Sequence, residues 1–378
     1  MSTMIIVGNQ HLASFNKPRS SHHQFIMGLR SAKPPTAKVW GRMIGYKGKN
    51  LWWSDRAHRN TPVHAFNVIV MTDNCWVVTY EDLLPRTFGK GGQYAKKAAR
   101  NRLLRDNCKA IISLSEYAIR KFKIWNAEWS GLQRALDKTV VIPPNLPLRV
   151  KTAKQRNKRI RIVFVGRALA RKGGVSVLRM ARNAHEDGYQ MDIHIVSSLQ
   201  INGYTDHTDP TRYDDDLALL DLPNVTLHKE LVNEEVLKLL ASADFQVMPT
   251  LGDTYGYSLL EGFSLGTPSI ATRTCAIPEF IKDGRNGYLL DVPCDDILDI
   301  SWLRPSGDLA FRSTDAYWEL LDAVYSDLAR QAYQKIVSTS DSDYVRLSQG
   351  AIDEIRKNHD VTLATNRIHD LYDRCLHS

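Results

Sequence analysis

Residues 245–272 contain the feature that most limits the fold of this chain: two short apolar runs on either side of a polar turn and a helical pattern. Asp253 or Thr254 can cap the start of the helix with a side-chain oxygen. Gly266 can end the helix, and Pro268 prevents its continuation. The apolar runs, which predict strands, are residues 245–248 and 269–271. The segment therefore predicts strand, loop, helix and strand in that order.

The polar turn after the first of these strands is a candidate ligand site. Ligands bind open α/β sheets at the carboxyl ends of strands, and free amides at a helix start favour anions such as phosphate. Two acids flank the turn, Asp253 before the helix and Glu261 inside it. In the alternative interpretation, Asp253 is only a cap and Glu261 a solvated surface acid.

Strand and helix patterns alternate along both halves of the chain, which argues for parallel sheets. Residues 38–60 fit neither pattern. Predicted strands cover residues 4–7, 65–71, 76–79, 110–113, 139–142, 160–165, 191–196, 225–227, 245–248, 269–271 and 287–290. Predicted helices cover residues 21–31, 93–105, 116–125, 175–185 and 234–241.

At 378 residues, the chain is too long for one ordinary core, so two domains are expected. A proline-rich stop at 142–147 is followed by a basic, polar segment at 149–159, and this composition is typical of a linker. We predict α/β domains of doubly wound type over residues 1–150 and 151–340, with a cleft between them. Helices in residues 341–378 are expected to pack back on the first domain.

Composition restricts the partners and the compartment. Five scattered cysteines without a C-x-x-C pair fit a reducing cytosol and give no sign of zinc. The formal charge of +9 predicts an anionic partner, which could be a nucleotide, a phosphate, an anionic membrane or a nucleic acid. Nucleic acid is disfavoured because no helix-turn-helix, RRM or zinc-finger pattern is present. The acidic run at 213–216 is interpreted as a surface cap, and no metal requirement is predicted.

A second candidate site follows the strand at 160–165. Gly166 lets the backbone turn and a ligand approach closely. Arg167 and Lys172 then lie at a strand's carboxyl edge, where arginine can bind phosphate through two bonds and lysine as a point charge. The alternative is a solvated basic loop. The segment matches neither the Walker A loop nor G-x-G-x-x-G.

Taken in order, these segments resemble the retaining GT-B glycosyltransferases of the family-4-like group. Residues 164–167 with 171–174 resemble the "FVGR…KG" element of that group, and residues 253–261 are similar to its E-x7-E motif. Residues 225–231 with 233–244 and residues 277–290 look like its other two blocks, the last being the "IPE.I.DG.NG.LL" run. The resemblance covers about residues 160–291 and implies a GT-B fold, in which two Rossmann-like domains face each other across a cleft.

The resemblance implies roles for individual residues. Arg167 and Lys172 would hold the donor diphosphate and stabilise the charge of the leaving group. Asp253 would face the donor sugar and Glu261 would bind the ribose. The remaining donor-binding positions are Gly166, His228 near the base, and the turn at Tyr255, Gly256, Tyr257, Ser258 and Leu259, whose amides would touch sugar or phosphate.

Two positions depart from the family pattern. Asp253 stands where the family usually has glutamate, one methylene longer. Glu81 occupies the place of a histidine that contacts the donor sugar, and it is therefore a candidate polar group of the acceptor domain; the alternative is an ordinary loop acid. His22 and His23, near a predicted helix start, are candidate acceptor-binding residues.

The resulting expectation is a cytoplasmic enzyme without a cofactor. It would transfer a sugar, with retention, from a UDP- or GDP-linked donor to a carbohydrate or lipid-linked acceptor in polysaccharide, lipopolysaccharide or glycolipid synthesis. The alternative is a catalytically silent GT-B scaffold that binds a nucleotide or a protein partner. A phosphorylase ranks lower, because no lysine-linked pyridoxal site can be recognised.

A basic stretch over residues 86–105 holds seven arginine and lysine residues and no acid. A basic helix can lie on an anionic membrane surface, so peripheral contact with the inner face of the membrane is a further expectation. The alternative is a solvated, charged face.

Overall fold

The computed structural model describes residues 2–19, 23–28, 31–46, 50–201, 203–300 and 309–376. Two compact units divide the chain. Unit 1 comprises residues 1–145 and 359–378, and unit 2 comprises residues 146–358.

Unit 1 is built on a parallel six-stranded sheet in the order β2-β1-β4-β6-β7-β8, and β3 pairs with β5 beside it. Its strands are β1 Thr3–Gly8, β2 Gln24–Met27, β3 Leu51–Trp52, β4 Val63–Phe66, β5 Ile69–Val70, β6 Trp76–Tyr80, β7 Cys108–Ser113 and β8 Thr139–Val141. Its helices are α1 Gln10–Asn16, α2 Pro35–Met43, α3 Gly92–Leu103, α4 Glu116–Trp125, α5 Leu132–Asp137 and, from the end of the chain, α13 Val361–Leu376.

Unit 2 has a second parallel six-stranded sheet, in the order β11-β10-β9-β12-β13-β14. Its strands are β9 Ile160–Val165, β10 Met191–Val196, β11 Val225–His228, β12 Phe245–Met248, β13 Ser269–Thr272 and β14 Gly287–Leu290. Its helices are α6 Gly174–Glu186, α7 Asp214–Ala218, α8 Asn233–Ser242, α9 Tyr257–Ser264, α10 Ile277–Phe280, α11 Asp315–Ser338 and α12 Asp341–Asn358.

The end of the chain divides differently from the prediction for residues 341–378. α12 belongs to unit 2, where the Ser348 hydroxyl donates to the Gly266 carbonyl over 2.6 Å. α13 packs on the sheet of unit 1, where the Tyr372 hydroxyl lies 2.6 Å from Nδ1 of the buried His64. A break at His359 therefore separates two helices that the sequence pattern joins into one tail.

Three other predictions need correction. Residues 24–27 form a strand parallel to β1 rather than part of a helix at 21–31. The predicted strand at 65–71 is interrupted because Asn67 has a positive φ of 58°. In the acidic run at 213–216, Asp216 is no surface cap, since its carboxylate accepts two bonds from the buried Arg179 guanidinium, at 2.7 and 2.8 Å.

None of the helices in the described parts of the chain is long and apolar enough to cross a bilayer.

Candidate functional site

The sheet of unit 2 changes its winding direction between β9 and β12, which are neighbours in the sheet although β10 and β11 lie between them in the chain. In doubly wound sheets, ligands bind at this switch point, outside the carboxyl ends of the strands. Residues 166–174 follow β9, and residues 249–256 follow β12. The two segments singled out in the sequence therefore meet at the position where this fold binds ligands.

An ion pair joins the two segments. Nζ of Lys172 donates to the Asp253 carboxylate, and less than one fifth of each side chain is exposed. Arg171, the residue before, donates from Nη1 to the Gly252 carbonyl. These contacts bring a cation and a carboxylate together at the switch point.

Gly173 allows the two loops to approach this closely. It caps α6 in the left-handed region, with φ 85°. A Cβ atom on Gly173 would lie 2.1 Å from the Pro249 carbonyl oxygen, a distance that no real contact permits. Only glycine therefore lets α6 begin against the end of β12 with Lys172 beside Asp253.

Arg167 supplies a second cation to the same turn. Its backbone carbonyl accepts from the Gln200 amide at 3.1 Å, which anchors the residue, while its side chain is exposed. The guanidinium makes no hydrogen bond or ion pair within the described residues. A Cβ atom on the neighbouring Gly166 would lie 2.9 Å from Cβ of Lys172. A residue with a side chain at position 166 would therefore collide with the lysine.

The start of α9 differs from the prediction. The cap is Gly256, with φ 88°, rather than Asp253 or Thr254. Asp253 is therefore free of the capping role and pairs with Lys172 instead. The predicted end of the helix at Gly266 is confirmed, because the amide of Gly266 donates to the Phe263 carbonyl in a left-handed turn.

Most side chains of the turn residues 255–259 pack into unit 2, and the contact predicted for their backbone amides stays a prediction. Tyr255 is buried, with its ring stacked on Phe280 at a centroid distance of 5.4 Å. Leu259 is buried as well, and its amide donates to the Gly256 carbonyl at 2.9 Å. Ser258 keeps a half-exposed side chain at the helix start, whereas Tyr257 is almost wholly buried. The side chains of Tyr255 and Leu259 are therefore core groups.

Glu261 lies in the second turn of α9, half-buried. Its Oε1 accepts from Nδ2 of Asn233, the first residue of α8, at 3.0 Å. Burial raises the pKa of Glu261, and both the bond from Asn233 and the charge of Arg149 oppose that shift. A partly desolvated carboxylate with one amide partner retains lone pairs that can accept from hydroxyl groups.

His228 ends β11, at the same edge of the sheet, and forms a pair that sequence reasoning did not foresee. Its Nε2 lies 3.1 Å from Nδ1 of His194 on the neighbouring strand, and the rings are stacked. Burial, and then the proximity of His228, lower the pKa of His194. His194 is therefore predominantly neutral at neutral pH.

Tyr204 is a further group at this site that sequence reasoning missed. The Arg171 guanidinium lies 5.2 Å from the centre of its ring, and a Cβ atom on Gly252 would lie 2.4 Å from its hydroxyl oxygen. Tyr204 follows β10 by eight residues in an irregular loop, and no motif or periodicity identifies such a position.

In unit 1, Glu81 follows β6 at the carboxyl edge of the sheet. Its Oε1 accepts from Nδ2 of the buried Asn67 at 3.1 Å and from the Arg86 guanidinium at 3.3 Å. Gly8, at the end of β1, packs against the same edge, because a Cβ atom there would lie 2.1 Å from the Phe66 carbonyl oxygen. Glu81 is therefore part of a hydrogen-bonded cluster with Asn67 and Arg86 rather than an acid in a solvated loop.

The predicted acceptor residue His23 lies elsewhere in unit 1. It precedes β2, next to Ser2, whose hydroxyl is 2.5 Å from its Nδ1, and it packs against the rings of His369 and Tyr372. This is the amino edge of the sheet, opposite to Glu81, so the structure does not bring the two together. His22 lies outside the described residues.

No three His, Cys, Asp or Glu side chains of the described ranges gather closely enough to hold a metal ion.

Residues 159–299 match the family model described as Glycosyl transferases group 1. The two parallel-sheet units have the GT-B fold, and the part of unit 2 from residue 159 to 299 is similar to the group 1 glycosyltransferases. The resemblance to the family-4-like group is thereby confirmed.

One curated relative is similar in sequence over about half of the chain. A D-inositol 3-phosphate glycosyltransferase of Paenarthrobacter aurescens is 28% identical over 217 residues, which make up 52% of each protein. The chain thus matches about half the length of this curated relative.

Two solved structures share the fold over almost the whole chain. Anabaena Alr3699/HepE, solved with UDP, has a TM-score of 0.59 at 12% identity, covering 99% of this chain and 100% of that one. Sucrose-phosphate synthase from Thermosynechococcus elongatus has a TM-score of 0.55 at 13% identity, covering 100% and 99%.

Proposed function

We propose that the protein transfers a sugar from a nucleoside-diphosphate donor to a hydroxyl group of a carbohydrate or lipid-linked acceptor, with retention of configuration. The observation that carries this proposal is the Lys172–Asp253 pair at the switch point of unit 2. The group 1 family match and the UDP bound by a protein of the same fold support it. A UDP-linked donor is the first candidate and a GDP-linked donor the second.

The cations would act on the departing diphosphate. Negative charge develops on the phosphate oxygen as the bond to the sugar breaks, and fixed positive groups stabilise that charge. Lys172 would supply a point charge held by its neighbours, and the exposed Arg167 could bind two phosphate oxygens at once. The amino terminus of α6 points its amides to the same place.

The acids would bind hydroxyl groups. Glu261 would accept from the ribose, and Asp253 from the donor sugar while it keeps Lys172 in position. Asp253 is one methylene shorter than the usual glutamate, and its contact with Lys172 supports the proposal that it still binds the donor. This arrangement favours an active enzyme over the silent scaffold.

Retention would follow from attack on the face that the diphosphate leaves. The acceptor oxygen forms a bond to the anomeric carbon, the bond from that carbon to the phosphate oxygen breaks, and the acceptor proton passes to the departing phosphate. In unit 1, the Asn67–Glu81–Arg86 cluster would bind hydroxyl groups of the acceptor by hydrogen bonds, without taking part in this proton transfer.

A donor panel tests the proposal. Purified protein is incubated with UDP-, GDP- and ADP-linked sugars, and release of the nucleoside diphosphate is followed with and without candidate acceptors. We expect turnover with one nucleotide class, and NMR of the anomeric proton in the product should show the donor configuration. Nucleotide binding without any turnover across the panel would favour the silent scaffold and contradict the proposal.

Glu261→Gln provides a test in which stability and function change in opposite directions. Because burial raises the pKa of Glu261, the folded state carries an electrostatic cost above that pKa. Glutamine should therefore raise the Tm at pH 8, and the gain should vanish toward about pH 4, where both states hold a neutral group.

The same substitution should weaken donor binding by about tenfold or more at pH 8, since hydrogen bonds to a charged acceptor are lost. Differential scanning fluorimetry from pH 4 to 8 and nucleotide titrations measure the two effects. A lower Tm together with unchanged nucleotide affinity would show that Glu261 is only structural.

A further inference from the structure

The positive charge of the chain is concentrated in unit 1. Residues 1–145 and 359–378 together carry 25 lysine and arginine residues against 11 aspartate and glutamate residues, while the whole chain has an excess of only nine. Residues 1–54 contain no acid at all. Unit 1 therefore has the excess of positive charge that is typical of proteins that bind anionic surfaces. This excess lies outside unit 2, which holds the candidate donor site.

Three cations of the basic stretch at 86–105 do not serve that purpose. Lys96 donates to the Trp125 carbonyl at 2.6 Å, and Arg100 donates to Oδ1 of Asn126 at 2.8 Å. Arg102 is buried and donates to the Val70 carbonyl at 3.1 Å. Burial lowers the pKa of Lys96 to about 8. These three of the seven cations in the stretch are therefore engaged within unit 1 and do not face an anionic partner.

The other face of this stretch combines exposed cations with exposed rings. Lys90 and Lys97 are exposed. Between them in sequence, Tyr94 is 56% exposed, and Phe88, just before, is 55% exposed. The Phe88 ring also contacts Trp125, at a centroid distance of 5.7 Å, but more than half of each aromatic side chain remains in water. Exposed apolar groups that lie next to lysines in this way mark a surface that a partner covers.

The end of α2 continues this surface. Met43 is 81% exposed, which makes it the most exposed large apolar side chain among the described residues, and Arg42 beside it is exposed. The turn after α2 lies against the start of α3: a Cβ atom on Gly45 would be 3.1 Å from the Lys90 side chain. The two segments therefore form one continuous surface.

We propose that this surface, which we call the basic–apolar face, docks unit 1 on a bilayer that contains anionic lipid. It consists of Arg42, Met43, Phe88, Lys90, Tyr94 and Lys97. The cations match anionic headgroups, and the methionine and aromatic side chains enter the boundary between headgroups and acyl chains. A purely electrostatic partner such as RNA would explain the lysines but not the exposed Met43 and Phe88.

Vesicle co-sedimentation of the full chain, without any sugar donor, tests this proposal independently of sugar transfer. We expect binding to vesicles with about one third phosphatidylglycerol, little binding to pure phosphatidylcholine, and weaker binding from about 0.1 M to about 0.5 M NaCl. Lys90→Glu with Lys97→Glu should weaken binding by at least about twentyfold. Met43→Ser with Phe88→Ser should weaken it by roughly tenfold.

Matched controls alter the same properties elsewhere. Lys158→Glu with Arg182→Glu makes the same charge change on exposed positions of unit 2, and Leu363→Ser with Val337→Ser removes exposed apolar groups from α13 and α11. Both controls should keep near-wild-type affinity for vesicles. Equal losses in test and control pairs, equal binding to neutral vesicles, or binding to RNA without binding to vesicles would each overturn the proposal.

Discussion

Replacing Lys172 with alanine should lower the kcat/KM of sugar transfer by about two to three orders of magnitude, because it removes a fixed charge from the departing diphosphate. The lysine is held against Asp253 just before the start of α6, so its charge has a fixed position that a water molecule in its place would not reproduce. Initial rates with the donor identified from the panel measure the effect.

The control for this variant is Lys158→Ala, which removes an exposed lysine of unit 2. It should retain near-wild-type kinetics. Circular dichroism should show that Lys172→Ala is folded, since the lost pair is partly solvated and contributes on the order of 1 kcal/mol. Rates within threefold (about 0.6 kcal/mol) of the wild type for Lys172→Ala would remove Lys172 from the mechanism.

Gly173→Ala should destabilise unit 2 by roughly 2–5 kcal/mol, the sum of the cost of a left-handed alanine and of overpacking. The added Cβ would collide with the Pro249 carbonyl, so α6 must shift away from β12. For a unit of this size, the Tm should fall by roughly 4–20 °C.

Gly188→Ala is the matched control, because Gly188 has φ 65° but no atom within 4 Å of an added Cβ. Only the conformational cost applies there, roughly 1–2 kcal/mol. Thermal unfolding of both variants separates the two effects. Equal losses of Tm would show that the close approach of α6 to β12 is not required.

Much of the fold was predictable because its strands are apolar and its helices have local start signals. α4 begins where predicted, since the Ser115 side chain accepts from the Ala118 amide. The sequence pattern predicts a helix at residues 24–27, but these residues form a strand because they pair with β1. It also gave no helix at 315–338, although α11 is 24 residues long. Tertiary pairing, rather than local propensity, determines such segments.

The candidate site was predictable where a motif fixes the position along the chain, and not where the fold brings distant residues together. Lys172 and Asp253 were singled out separately, and the structure adds that they are paired. The partners of Glu81, which are Asn67 and Arg86, follow from strand order and a turn that no pattern specifies. Tyr204 lies in a loop without any motif.

Isothermal titration of UDP and GDP into the wild-type protein and into Arg167→Ala with Lys172→Ala is the most direct test of the account. We predict saturable binding of one of the two nucleotides to a single site per chain, weakened at least about a hundredfold in the double variant because two charged contacts to phosphate are lost. Binding of equal strength in the two proteins would contradict the claim that the switch point of unit 2 holds the donor diphosphate.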